Sequence, residues 1–139
     1  MAWLKGGKYS EIFLSKPEYL EKVESITSSI AREAGFNESS SDDLSIAITE
    51  LFNNAIHHGN RNDPNKKIFL KYEFDGRRLK ITVEDEGNGF NPKTIKNPLA
   101  PENLLSDSGR GIYLVKMLMD GLDFKFDKNR SRVIIIKKI

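Results

Sequence analysis

Residues 68–85 read IFLKYEFDGRRLKITVED, and the period of this stretch decides the fold class. Ile68, Leu70, Tyr72 and Phe74 fall on one face of an extended chain, and Leu79, Ile81 and Val83 do the same, because successive strand side chains point to opposite faces. The DGRR between them is a hairpin turn signal, so the two runs pair antiparallel. LDFKF (122–126) and RVIIIKK (132–138), joined through DKNRS, repeat the pattern at the C-terminal end, and YSEIFL (9–14) reads as a short first strand.

The remaining segments are helical or irregular. In SKPE, Ser15 and Glu18 stand at capping-box spacing with Pro17 in the first turn, and Tyr19, Val23, Ile26 and Ile30 follow at helical spacing until Gly35. NESSSDD (37–43) opens a second helix that runs to about His58 on the stripe Leu44, Ile48, Leu51, Phe52 and Ala55. A third helix buries Ile112, Val115, Leu118 and Met119. Periodicity is lost from Gly87 to Ser108, and a loop of that length in a small domain is more often functional than incidental. The order strand, helix, helix, hairpin, loop, helix, hairpin predicts an α+β two-layer sandwich, a mixed, mostly antiparallel sheet with helices on one face. Residues 1–139 make one domain, since the length leaves no room for a second core.

Composition narrows the function. A hydrophobic fraction of 38% and a charged fraction of 30% are those of an ordinary globular chain. No apolar run approaches the ~20 residues of a membrane span, and MAWLKGGKYS lacks the apolar centre of a secretion signal, which makes the cytoplasm the expected location. The absence of cysteine excludes disulfides and thiolate metal sites. A net charge of +2, with Lys and Arg spread and largely matched by Asp and Glu, gives no support for direct nucleic-acid binding.

Against that background, ITELFNNAIHHGN (48–60) is an odd helix, with Glu50, Asn53, Asn54, His57 and His58 on a segment that must also bury a face. Glu50 and Asn54 lie ~40° apart around the axis, just beside the apolar stripe. A carboxylate and an amide oxygen so placed suit a hard cation such as Mg²⁺, or orient a water or hydroxyl; alone, they are more often a solvated flank. His57 and His58 diverge by ~100° and do not form a metal pair. EDEGNGF (84–90) places Asp85 at a strand end, followed by Gly87 and Gly89; such a carboxylate accepts an exocyclic amine, or simply closes a turn. SGRGIYLV (108–115) puts Gly109 and Gly111 immediately before a helix, where free N–H groups and the helix dipole favour phosphate. One nucleotide would use all three stretches, with its base on Asp85, a metal on Asn54 and its phosphates at Gly109 and Gly111.

ELFNNA, DEGNGF and GRGIYL, in this order and spacing, resemble the N box and the two glycine boxes of the GHKL ATPases, from about residue 9 to 139. Within that superfamily, NAIHHGN and the ending LMDGLDFKF are most similar to the anti-sigma factor serine kinases of bacterial partner switching. The resemblance implies ATP and Mg²⁺ as cofactors and a lid at about residues 90–108. It implies that Glu50 is the catalytic base, that Asn54 holds Mg²⁺ and that Asp85 accepts the adenine amine. Gly87 and Gly89 would shape the base pocket, with Gly109, Arg110 and Gly111 on the phosphates. It further implies a sigma factor and an anti-sigma factor antagonist as protein partners, the antagonist being phosphorylated on serine, and a possible homodimer in which Trp3, Ile12 and Leu14 form an edge or fold back on the sheet. Relatives often carry Gly-Thr where this chain has NRSRV (129–133), with Arg130 or Arg132 as an electrostatic replacement, and Ser106-Asp107-Ser108 is an acidic lid end. Both departures leave open a nucleotide-sensing binding regulator without significant kinase activity. A histidine-kinase-type catalytic domain is the poorer alternative, since no histidine precedes the N box.

Overall fold

The computed structural model describes residues 2–87 and 107–139. Gly89 and nearly all of the 90–108 stretch read as a lid lie outside these. The chain runs β1 (Lys8–Leu14), α1 (Leu20–Ala34), α2 (Glu38–Asn54), β2 (Lys67–Phe74), β3 (Arg78–Asp85), α3 (Asp107–Leu118), β4 (Gly121–Asp127) and β5 (Arg130–Lys138). The strands form one five-stranded sheet in the order β1-β2-β3-β5-β4. Every pairing is antiparallel, rather than mixed as the element order suggested. The reason is topological: β4 runs in the direction of β3, but the C-terminal hairpin slots β5 between them, so no two parallel strands become neighbours.

Alternation along the strands gives the sheet one apolar face, on which Ile68, Leu70, Tyr72, Leu79, Ile81, Val83 and Ile135 are all buried. The helices cover that face. α1 contributes Val23, Ile26 and Ile30, and α2 contributes Leu44, Ile48, Leu51 and Phe52. Tyr72 brings a hydroxyl into this core and shares a hydrogen bond of 2.7 Å with Thr27, whose own hydroxyl also donates to the Val23 carbonyl, so the polar atoms are paired.

The helix ends show where local signals hold. Asn37 caps α2, its side chain accepting the Ser40 N–H at 2.8 Å. Gly35 closes α1 with a left-handed φ of 98°, which a side chain would resist. The expected Ser15/Glu18 capping box does not form. Pro17–Tyr19 is instead a 3₁₀ turn leading into α1, without a side-chain cap. Ser15 still belongs to the strand end, its N–H donating to the Lys66 carbonyl at 2.8 Å, and its hydroxyl is buried without a partner.

α2 ends as an α-helix at Asn54 and continues as one π-helical turn, Ala55–Gly59. Such a turn holds one more residue than α-helical geometry allows, and it is frequent at functional sites. At the other end of the chain Trp3 folds back, edge-on to Tyr9, while the N–H groups of Trp3 and Leu4 donate to the Glu33 carboxylate. Ile12 and Leu14 remain exposed on β1, at the sheet edge.

Candidate active site

Asp85 ends β3 and is 6% exposed, which is unusual for a carboxylate. Its Oδ1 accepts two hydrogen bonds, from the Ser131 hydroxyl at 2.6 Å and from the Gly87 N–H at 2.9 Å. Ser131 is the cross-strand partner of Asp85 on β5, so the register of the sheet delivers the donor. Among the described residues no hydrogen bond from the protein goes to Oδ2. Burial pushes the Asp85 pKa above its ordinary 3.8; the bonds from Ser131 and Gly87 oppose the rise and the nearby Glu84 charge adds to it. Among the described residues Oδ1 is satisfied and Oδ2 is left able to accept a further donor.

Glycines make room for this group. A Cβ on Gly59 would overlap the carboxylate, with Oδ1 at 2.7 Å, and a Cβ on Gly87 would meet Oδ1 at 2.8 Å and the Gly59 carbonyl at 3.1 Å. The end of the π-turn and the residues after β3 thus close on Asp85 from two sides.

The other end of the site lies where α2 meets α3. Glu50 and Asn54 are both half-buried on the flank of α2. The Glu50 carboxylate rests against Gly111, where a Cβ would have the Glu50 Cδ at 3.4 Å and an oxygen nearer still. α3 starts at Asp107, so Gly109 and Gly111 sit within the beginning of the helix and not before it, as the sequence suggested. Gly109 is thereby among the first-turn amides, which lack intrahelical acceptors and carry the positive end of the helix dipole, whereas the N–H of Gly111, the fifth residue, has an acceptor within the helix. Arg110 is exposed beside them.

Glu50 and Gly59 are nine residues apart, roughly 13 Å along a helix axis. One continuous segment therefore touches Asp85 with its last turn and the start of α3 with its middle. Gly87 lies against Asp85 and Gly111 against Glu50, at the two ends of this segment, with Asn54 half-buried on its flank; Gly89 falls outside the described residues. Three contributors were not singled out. Ser131 stands between two arginines in NRSRV, and its alternation with Val133 and Ile135 places it on the inner face opposite Asp85. Gly59 and Asn60 directly follow the N box, in the place where a helix-ending Gly-Asn reads as punctuation.

One expectation changes. Arg130 and Arg132 do not stand in for the missing Gly-Thr. Both pair with Glu84 on the opposite face of the sheet, and Arg130 also lies over the Phe69 ring, 4.4 Å from its centroid. The strand period forces this, because their side chains must point away from that of Ser131. His57 and His58 are exposed, His57 bonds to Asn62, and among the described residues no group of three or more acidic or histidine side chains could hold a metal. Asn54 and Glu50 suit Mg²⁺ only if phosphate and water complete its shell, which is how that ion is usually held.

Because Gly111 gives Glu50 its place, a methyl group there should be costly. Gly111→Ala is expected to slow any reaction that relies on Glu50 by ~10²-fold, the penalty of misplacing a group by about 1 Å. Nucleotide binding through Asp85 should persist, and calorimetry beside a turnover assay separates the two effects.

Comparison with known proteins agrees with this geometry. Residues 13–137 match the family model described as histidine kinase-like ATPase domain. Serine-protein kinase RsbW of Bacillus licheniformis is 32% identical over 120 residues, covering 81% of this chain and 74% of the relative. The protein of that name from Listeria innocua is 29% identical over 126 residues, covering 86% and 80%. Among solved structures, the RsbU and RsbW domains of Rv1364c from Mycobacterium tuberculosis align with a TM-score of 0.69 at 15% identity, over 94% of this chain and 32% of that one. The histidine kinase domain of a blue-light activated kinase from Erythrobacter litoralis aligns at 0.57 and 19% identity, over 86% and 59%. These two likenesses concern the fold alone, and this chain spans about a third of the former and three-fifths of the latter. Among the described residues no helix is long and apolar enough to cross a membrane. A five-stranded antiparallel sheet under helices accords with a family match over nearly the whole chain: the protein belongs to the histidine kinase-like ATPase domain family, the GHKL superfamily, and resembles its RsbW serine-protein kinases.

Proposed function

We propose that this chain is an ATP-dependent serine-protein kinase of the partner-switching kind, which sequesters a sigma factor and phosphorylates a serine of its antagonist protein. The observation that carries the reading is the pairing of buried Asp85, whose Oδ2 has no hydrogen-bond donor among the described residues, with a half-buried Glu50 against the start of α3, at opposite ends of one helical segment. Residues 1–139 act as one ATP-binding unit in this reading.

Asp85 Oδ2 accepts a hydrogen bond from the amine of adenine, and Gly59 and Gly87 leave the space in which that carboxylate sits. The triphosphate then runs along the segment towards α3, where Gly109 offers a first-turn amide, Arg110 a positive charge and Gly111 room for close approach. Mg²⁺, held by Asn54 with phosphate and water oxygens, would neutralise the charge on the transferring group. Glu50 takes the proton of the attacking serine hydroxyl as the bond from serine oxygen to the γ-phosphorus forms and the bond from that phosphorus to the β–γ bridging oxygen breaks, releasing ADP. The protein does little covalent chemistry in such a transfer, so positioning and charge account for most of the rate. The family match and the RsbW relatives support the kinase; the sigma factor, the antagonist, a homodimer and a cytoplasmic location are inferred from that kinship.

A nucleotide-gated binder without useful transfer is the second reading. It draws on Asp107, which opens α3 and puts an acidic residue at the phosphate end. The test is incubation with γ-labelled ATP, Mg²⁺ and lysate of the source organism, beside Glu50→Ala. A small labelled protein that appears only with the native chain establishes the kinase and isolates its substrate. No label, from protein shown by calorimetry to bind MgATP, replaces the kinase with the binder.

A further inference from the structure

Asn60 follows the π-turn and is completely buried. A buried amide must be paired at both its ends, and the way in which Asn60 is paired points to Asp85. Its Nδ2 donates to the Lys67 carbonyl at 3.0 Å, and its Oδ1 accepts the Glu86 N–H at 2.9 Å. The Glu86 carboxylate in turn accepts the Lys67 N–H at 2.6 Å. These bonds close a ring at one particular place. Ile68 and Asp85 are the last residues of the β2–β3 ladder, and Lys67 and Glu86 are the next ones out. Where the ladder would fray, a side-chain amide is inserted between the strands and reproduces the hydrogen bonds of a peptide group.

The surrounding backbone is bent to put it there. The Asn60 N–H donates to Ala55 and its carbonyl accepts from Asp63. Arg61 and Asn62 then take φ values of 51° and 62°. Left-handed geometry is unfavourable for a residue with a side chain, less so for Asn than for Arg, and two in succession persist only where neighbouring bonds over-determine them. The Asn62 N–H reaching back to the Ile56 carbonyl at 2.8 Å is one such bond.

We infer that Asn60 is a positioning residue for base recognition: by clamping the Glu86 amide, it fixes the backbone between Asp85 and Gly87 and so aims Asp85 Oδ2 at the exocyclic amine of the base. The inference rests on the proposed reading of Asp85 as the acceptor for that amine. It gives Asn60 a role distinct from the metal and phosphate contacts of Asn54, six residues earlier. Glu86 stands between the two residues whose geometry matters, since Asp85 carries the carboxylate and Gly87 donates one of the bonds that orient it. Loss of the clamp lets both swing, while the start of α3 and Glu50 stay as they were.

The experiment compares ATP with purine riboside triphosphate, which has the same phosphates and sugar but no amine at the 6-position, both with Mg²⁺. A hydrogen bond to a charged group is worth ~1.5–3 kcal/mol, so the native chain should prefer ATP by about 10- to 100-fold. Asn60→Ala should lose that preference because ATP weakens, with affinity for the analogue retained. The Glu86 amide should become fast to exchange with deuterium while the core of the sheet stays protected. If the alanine variant does not fold, Asn60→Ser, which is too short to bridge both strands, is read in the same way. Equal weakening of both nucleotides, or a preserved preference, overturns the positioning role and leaves the reading of Asp85 intact. A native chain that binds the two nucleotides alike overturns the reading of Asp85 itself, and the role of Asn60 with it.

Discussion

Glu50→Ala should abolish serine phosphorylation to within detection, a fall of ~10²–10⁴-fold, while MgATP still binds. The size follows from what the carboxylate does in the proposed reaction. It accepts a proton as the hydroxyl attacks, a contribution made in the transition state and not in the nucleotide complex, so the rate falls and affinity does not. The base end of the site is remote from the change, and the groups that hold Asp85 are untouched. Titration calorimetry with a nonhydrolysable ATP analogue and a single-turnover transfer assay give the two halves of the result. If the variant loses both functions together, Glu50 is a structural prop for the start of α3, which its close approach to Gly111 would also allow, and the base must be sought elsewhere.

Asp85→Asn should separate binding from stability in opposite directions. The amide keeps the shape of the carboxylate and loses its charge, and its NH₂ group, if turned towards the ligand, confronts the adenine amine with a second donor. ATP affinity should drop by about 10- to 100-fold, in line with ~1.5–3 kcal/mol for a bond to a charged acceptor. The protein without nucleotide should nevertheless melt higher. The folded-state pKa of Asp85 is raised, chiefly by burial, so folding favours its protonated form. For a group raised in this way, the stabilising contribution is fully present below the unfolded value of 3.8 and is lost as pH rises through the higher folded one. Near pH ~7 the native chain thus folds with a charge that it would bind more cheaply as a neutral group, and the amide removes that cost. Melting curves of both proteins at neutral and acidic pH should show the advantage of the variant shrinking as the pH falls. A variant that melts lower at neutral pH would mean that the bond from Ser131 outweighs burial.

What could be read from the sequence divides along physical lines. Strand alternation and helix spacing are local, and Ile68–Phe74, Leu79–Asp85 and the three helices fall close to where their periods put them. Glu50, Asn54, Asp85 and the glycines were visible because their types are wrong for where they stand, with polar groups flanking a buried stripe and glycines in succession after a strand. Ser131 was not, because a hydroxyl among arginines acquires meaning only from the register that sets β5 beside β3. The capping box failed for a related reason, since Ser15 was already committed to the strand end through Lys66. Asn60 was the hardest of all. Its partners, Lys67 and Glu86, lie up to 26 residues away, and no local pattern distinguishes a clamp from the end of a helix.

The π-turn at Ala55–Gly59 has one more consequence. A regular helix has a single angular phase, so all its functional side chains are dealt to directions fixed by one repeat. An extra residue within a turn resets that phase. The segment before it addresses α3 and the segment after it addresses β3, although both belong to one uninterrupted stretch of chain. Changes of residue type can retune either end separately, but a change of length cannot. A single deletion between Ala55 and His58 would leave the N box legible and the apolar stripe nearly intact, yet it would restore one phase throughout and turn Gly59 about 100° from Asp85. What this part of the protein must preserve is a count of residues.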